Sequence, residues 1–329
     1  MKQISEVNID VAYNHFKEFV TSNTNINNKL KDIDKTIKTF CKELKVNKKC
    51  ILYCSKATDL PFLSFEKIRN IVNEINETNF YKNKDYKKKE IPSIAFKEIK
   101  KTFNELYDIL TNKENGCGYE LFTDLKLRAC PYCNLNYIDA VITEDDRNRS
   151  KKLIDKNNKV LRHHFDHYFP KNKFPFFGIS FYNLIPSCYE CNSALKGDNT
   201  DKTPLNPYIQ DFDSMATFYI QPMNMNHPMS FYNESDFEIK LNCKDNLAAE
   251  HSDLFSLQER YRYRKDYVIE LLTKKEIYTD EFKLEIYKQL SNIPNAQCNV
   301  NLILWGNYTN SEEINLRPLA KLTKDLLDS

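Results

Sequence analysis

Apolar residues recur at three- and four-residue spacing through most of the first third of the chain. Val11, Phe16, Phe19 and Val20 form one such stripe, and Ile33, Ile37, Cys41 and Leu44 form another across a Lys-rich stretch. This predicts two helices separated by the Asn- and Thr-rich segment 21–28. Ser64 is placed to cap a helix over 65–75, and Phe96, Ile99, Phe103, Leu106 and Leu110 mark a further one over 95–110. Gly116 and Gly118 end that pattern. From 125 to 206 short aromatic strands, turns and clustered Cys, His, Asp and Asn replace it. After Pro204 and Pro207 helices return over 255–272, over 280–290 and beyond Pro318, with a short apolar strand predicted at 302–305. There is no internal repeat.

Composition narrows this picture. With 329 residues, 41% of them hydrophobic and 13% aromatic, the chain can build a substantial core, which excludes a disordered or low-complexity protein. Forty-eight basic against 46 acidic side chains leave a formal charge of +2, so an anionic partner must be met by a local patch. No apolar stretch approaches the ~20 residues of a membrane span. Lys2, Glu6, Asp10, Lys17 and Glu18 interrupt the apolar positions at the start. The expectation is a cytoplasmic protein with no signal peptide and no membrane partner. Its ten cysteines then point to buried thiols or metal ligands more than to disulfides.

Four of those cysteines stand in two pairs, Cys130-Pro-Tyr-Cys133 and Cys188-Tyr-Glu-Cys191. Two residues between thiolates let a tight turn aim both sulfurs at one ion, and two such turns complete a tetrahedral structural zinc site. Between the pairs lies His163-His164-Phe165-Asp166-His167-Tyr168-Phe169-Pro170-Lys171. Strand alternation puts His164 and Asp166 on one face and Phe165 and His167 on the other. Asp166 and His167 therefore share a site only if the strand ends or twists there. A carboxylate for a hard divalent cation beside a neutral imidazole that takes a proton from water is what a metal-dependent nuclease needs. The second cysteine pair is expected to start a short helix ended by Gly197, so that zinc would fix Asn192 opposite that strand.

The ordered text Arg128-x-Cys-Pro-Tyr-Cys-Asn134, then Asp166-His167-Tyr-x-Pro170-Lys171, then Asn183-Leu-x-Pro-x-Cys-x-x-Cys-Asn192-x-x-x-Lys196-Gly197 resembles the HNH nucleases of the ββα-metal fold, in their four-cysteine zinc branch. The resemblance implies a structural Zn²⁺ on Cys130, Cys133, Cys188 and Cys191. It implies one catalytic Mg²⁺ or Mn²⁺ held by Asp166 and the Asn192 side-chain carbonyl, His167 as general base, and Asn183 orienting the His167 loop. The last motif position, often His in the family, is Asn192 here, an oxygen ligand that suits Mg²⁺ and leaves the metal preference open. It further implies an endonuclease whose expected substrate is DNA. The build is similar to bacterial anti-phage defence nucleases of the Septu PtuB type, which act beside an ATPase partner. Lys171 and Lys196 are candidates for holding phosphate, against the plain alternative of solvated lysines near a helix end.

The fold class expected is α+β, a zinc-stapled ββα-metal (HNH) module at 125–206 embedded between mainly α-helical regions at 1–124 and 207–329. Two rivals remain: a non-catalytic four-cysteine zinc module that binds nucleic acid or protein, and an RNA-cutting toxin with the same metal site. His164 reads as a hydrogen-bonded strand histidine. Cys50, Cys54, Cys117, Cys243 and Cys298 read as core thiols. The basic run at Lys82, Lys84, Lys87, Lys88 and Lys89, interleaved with Tyr81 and Tyr86, could track a nucleic-acid backbone, but a solvated face explains it better. On the predicted 255–272 helix, Leu257, Tyr261 and Val268 suit a core face and the arginines a basic outer face.

Overall fold

The computed structural model describes the chain except for residues 47–49, 89–92, 113–114, 144–157, 162–163, 198–203, 224–232, 292–299 and 329. His163, Lys89 and Cys298 thus lie outside the described residues.

Helices α1 (Glu6–Ser22), α2 (Thr24–Glu43), α3 (Ile51–Cys54), α4 (Phe65–Asn76), α5 (Asn79–Lys82), α6 (Ile94–Leu110) and α7 (Gly118–Asp124) build the first third. The expected linker at 21–28 shrinks to Asn23. That residue ends α1 and caps α2 by accepting the Ile26 N–H, so no longer connection is required. Ser64 caps α4 by accepting the Lys67 N–H. Tyr81 and Tyr86 are buried against each other, with ring centroids 5.6 Å apart, and Tyr81 stacks on Phe174 at 5.5 Å. They are therefore core residues, not stacking platforms for bases, while Lys82 and Lys88 pair with Glu77 and Asp85.

The middle of the chain holds two antiparallel pairs. Strand β1 (Ala140–Thr143) pairs with β2 (Asn158–Leu161), and β3 (His164–His167) with β4 (Leu184–Ser187) in the register Asp166 to Ile185. A turn of π-helix, Glu190–Lys196, follows β4 and ends at Gly197, whose φ of +48° favours a residue without Cβ. Single-turn α8 (Phe212–Met215) precedes a third antiparallel pair, β5 (Ala216–Pro222) with β6 (Phe237–Cys243). This hairpin departs from the mainly helical region expected over 207–329, for which the one predicted strand is at 302–305. The hairpin was legible in the alternation of Ala216 and Phe218, and of Phe237 and Ile239, all buried.

Helices α9 (Asn246–Leu254), α10 (Leu257–Arg262), α11 (Lys265–Ile277), α12 (Asp280–Ser291), α13 (Val300–Trp305) and α14 (Ala320–Asp328) complete the chain. The continuous helix expected over 255–272 is broken at 263–264. This break lets α10 turn Arg260 and Tyr261 toward the cysteines while α11 buries Val268 and Leu271. The strand expected at 302–305 is helix α13, because a four-residue apolar run carries no period that separates the two. Cys50 and Cys117 are buried as expected, whereas Cys54 is exposed and Cys243 only half-buried.

The protein is thus α+β, with helices around small antiparallel sheets and one hydrophobic core that takes in residues from Met1 to Leu326. Among the described residues no helix is long and apolar enough to cross a membrane.

Candidate functional site

The first cysteine pair sits in a tight loop. An Ala129 to Tyr137 bridge closes it, Asn134 donates its N–H to the Cys130 carbonyl at 2.8 Å, and Asn134 takes a φ of +51°, a conformation Asn tolerates. The second pair lies at the end of β4 and the start of the π-helical turn. All four sulfurs, from Cys130, Cys133, Cys188 and Cys191, lie within 4.8 Å of one another and are buried. Cys133 Sγ and Cys188 Sγ are 3.9 Å apart. A tetrahedral S₄ site with metal–sulfur bonds of 2.3 Å has edges of about 3.8 Å, so the spacing fits zinc.

The surroundings suit thiolates. Leu135 N–H donates to Cys133 Sγ, Cys188 N–H to Cys130 Sγ and Asn136 Nδ2 to Cys188 Sγ, at 3.4, 3.4 and 3.3 Å. Arg260 reaches Cys191 Sγ at 3.5 Å and Cys133 Sγ at 3.6 Å. Burial alone pushes the Cys133 thiol up, but hydrogen bonds from the other three thiols and the Arg260 charge hold it well below the usual range. The hydrogen bond with Cys130 leads in lowering Cys188 to about 6. Burial pushes Cys130 and Cys191 up. A cation at the centre would remove the repulsion between four buried thiolates, and one arginine supplies only part of that charge.

Sequence reading missed the parts that clamp this cluster. Tyr261 donates to the Cys133 carbonyl at 2.8 Å, and buried His251 of α9 holds the Tyr132 carbonyl at 2.9 Å. The Asn134 carboxamide donates to the Ile314 and Arg317 carbonyls and accepts from the Lys321 N–H. These contacts cross more than a hundred residues of chain, so no local spacing announces them.

Strand β3 ends at His167, and this allows consecutive residues to serve one site. His164, Phe165, Asp166 and His167 line a cleft of about 560 Å³ together with Tyr107, Lys171 and Asn192. His167 is 8% exposed and its Nε2 meets the Gly178 carbonyl at 2.9 Å. A carbonyl only accepts, so Nε2 carries the proton and Nδ1 keeps its lone pair. Burial, outweighing the Gly178 bond and assisted by Lys171 and Lys196, lowers the imidazole to about 3 and keeps it neutral. Gly178 itself is close-packed: a Cβ there would meet the Pro175 carbonyl at 3.0 Å and Phe103 Cβ at 3.5 Å. Tyr107 of α6 lies 4.8 Å from the His167 ring and carries Lys171 Nζ over its face at 4.9 Å. Burial and then the Asp166 charge push the Tyr107 phenol up to about 12.

Asn183 is wholly buried. Its carboxamide accepts the Phe169 N–H at 2.7 Å and donates to the Phe169 and Phe177 carbonyls, beside Gly178. Asn192 is half-buried on the cleft wall. His164 stands at the start of β3, exposed, with its ring 5.7 Å from that of Tyr189.

Lys196 departs from its expected place. It is 2% exposed, and its Nζ donates to Asp166 Oδ1 and to the His167 carbonyl, both at 2.8 Å, so it is not presented to a phosphate. Tyr132 donates to the other Asp166 oxygen at 2.8 Å. Removing one partner of a buried pair strands the other charge. Lys196→Met is accordingly expected to destabilise the fold by ~3–5 kcal/mol in urea denaturation. A loss under about 1 kcal/mol would place the pair among weak, water-screened ones.

His251 is lowered to about 3, chiefly by burial, as His167 is. Both imidazoles stand below their unfolded value of about 6.5. From roughly pH 6.5 down to 3 the unfolded chain therefore binds protons that the folded chain refuses, and stability falls as pH falls through that window. Each histidine is expected to add a slope of up to about 1.4 kcal/mol per pH unit. His251→Gln should flatten the measured slope by one proton, and an unchanged slope would mean that His251 is not held neutral.

Fold and site together define an α+β protein with a buried four-cysteine cluster that could hold a structural metal such as zinc. Compared with protein-family models, with curated proteins and with solved structures, the chain matches none.

Proposed function

We propose that the protein is a metal-dependent endonuclease of the HNH type, with DNA as its substrate. One observation carries the reading: a neutral His167 with its Nδ1 lone pair free of the Gly178 bond, in the same cleft as Asp166 and Asn192 and behind a cysteine cluster that anchors both chain segments.

His167 Nδ1 takes a proton from water, and the Nε2–H bond to Gly178 fixes the ring and tautomer as it does so. Hydroxide adds to phosphorus, the bond to the leaving sugar oxygen breaks, that oxygen takes a proton from a solvent water, and His167 returns its proton to solvent, so that a phosphate monoester and an alcohol result. Lys171, on the cleft wall over Tyr107, offers a positive charge to the phosphate. Asp166 and Asn192 present oxygen donors suited to Mg²⁺ or Mn²⁺. Lys196 and Tyr132 occupy one hydrogen-bonding position on each Asp166 oxygen, and a carboxylate has about four, so a cation can still bind. Such an ion would supply Lewis-acid polarisation of the phosphate and stabilise the leaving oxygen.

Supercoiled plasmid, linear duplex, single-stranded DNA and RNA, each with Mg²⁺, Mn²⁺ or EDTA, test the reading. Metal-dependent cutting of DNA is expected, while cutting of RNA alone would favour the toxin reading. A preparation that cuts only with an added ATPase from the same genome would support the defence role beside such a partner.

The satisfied Asp166 favours a second reading, a zinc-stapled binding module without catalysis. Absence of Mn²⁺ binding in the cleft, measured by electron paramagnetic resonance, together with no cleavage of any substrate, would establish that alternative.

A further inference from the structure

Lys171 leaves a turn whose backbone is fixed. The Lys173 and Phe174 N–H groups both donate to the Pro170 carbonyl, at 3.0 and 2.8 Å, so residues 170–174 hold one loop shape. The long side chain is another matter, because its flexible stem samples many rotamers until a partner selects one. Among the described residues Lys171 forms no ion pair, and the carboxylate on the cleft wall, Asp166, is engaged by Lys196 and Tyr132. Lys171 Nζ stands instead over the face of Tyr107, 4.9 Å from the ring centroid and within reach of a cation–π attraction.

Tyr107 belongs to α6, outside the segment 125–206 that carries the cysteines, Asp166 and His167. Phe103 and Leu106 of the same helix are buried, and a Cβ on Gly178 would meet Phe103 Cβ at 3.5 Å. Helix α6 is therefore docked on the turn whose carbonyl meets His167 Nε2. The Tyr107 ring, 4.8 Å from the His167 ring, is thus a fixed plate between the imidazole and the ammonium.

We propose that Tyr107 is a positioning residue: its ring holds the Lys171 ammonium where a nucleic-acid phosphate enters the cleft, so that the helical region 1–124 completes the phosphate site. An aromatic face suits this task better than a carboxylate. It orders the ammonium without neutralising it, whereas a carboxylate at ion-pair distance would compete with the phosphate for the same charge. The proposal rests on the reading of the cleft as one that meets a nucleic-acid backbone, and it does not require hydrolysis.

Fluorescence anisotropy of the full chain with a labelled DNA oligonucleotide, single-stranded and duplex, without added divalent cation, reads this contact in the absence of cleavage. Tyr107→Leu is expected to weaken the tighter complex by about three- to thirtyfold, the worth of one cation–π contact. Tyr107→Phe keeps the ring face and should restore the affinity. In a Lys171→Met background Tyr107→Leu should cause no further loss, because the ring acts through the ammonium, whereas a merely structural role would add its effect to that of the lysine. Indifference to Tyr107→Leu, failure of Tyr107→Phe to restore binding, additive losses in the double variant, or no binding of either oligonucleotide would each overturn the proposal. Cleavage kinetics keep it apart from the nuclease reading. Where DNA is cut, Tyr107→Leu should raise KM by a larger factor than it lowers kcat, and a loss confined to kcat would overturn the proposal while leaving the nuclease. Binding that follows the expected pattern in a protein that cuts nothing would support the proposal and remove the nuclease.

Discussion

Replacing His167 with alanine is expected to lower metal-dependent cleavage by ~10²- to 10⁴-fold, the usual worth of a single positioned general base. The loss should fall on kcat with little change in KM, because the imidazole acts on water and Lys171 still meets the phosphate. The variant also forfeits the Gly178 hydrogen bond and the contact with Tyr107. Circular dichroism and zinc content must therefore match the parent before the rate is interpreted. Cleavage within a factor of about three of the parent, well below the expected range for a general base, would remove His167 from the mechanism. The low imidazole value adds a signature: free protein should show no activity loss on acidification from pH 7 to 6 that titrates with an ordinary histidine.

The larger structural effect is expected from the cysteine cluster. Purified protein should carry one zinc per chain by elemental analysis. Cys191→Ser or prolonged chelation should then lower the unfolding midpoint strongly, because structural zinc contributes an apparent ~10–16 kcal/mol in small peptide sites. This chain has a large helical core besides, so the first regions to lose protection in hydrogen exchange should be 128–138 and 184–197, which the metal ties together. Tyr132 and Lys196 both hold Asp166 and lie within those two segments, so zinc loss should also silence any cleavage. A protein that contains no metal as purified and whose stability chelators leave unchanged would exclude a structural zinc. Arg260→Ala offers a milder test, expected to weaken zinc retention without abolishing it, since it removes a charge beside two thiolates.

Much of the molecule was legible in the chain. Helices α2, α4 and α6 follow from their apolar stripes, and the Ser64 cap and Gly197 stop follow from local backbone chemistry. The β5–β6 hairpin went unread although its strands alternate, since the preceding prolines and following helices drew the whole region into one class. Helix α13 was misread because four apolar residues lack a measurable period. The candidate site divides in the same way. Cys130, Cys133, Cys188 and Cys191 announce themselves through spacing, and Asp166 and His167 through their place between the pairs. Tyr107 and Arg260 carry no such mark. Lys196 carried one that suggested phosphate, whereas burial turned it toward Asp166.

By itself the sequence determined which side chains could meet within a turn: two pairs of thiols, a carboxylate next to an imidazole, and an asparagine after the last cysteine. Turn geometry allows little choice over three or four residues. Only the tertiary structure decided the protonation and partners of those groups. His167 is neutral because α6 and the Gly178 turn bury it, Asp166 is shared with Tyr132 and Lys196, and the thiols face an arginine from α10. Burial and electrostatic pairing depend on which distant segments pack together, and that is set by the whole core at once.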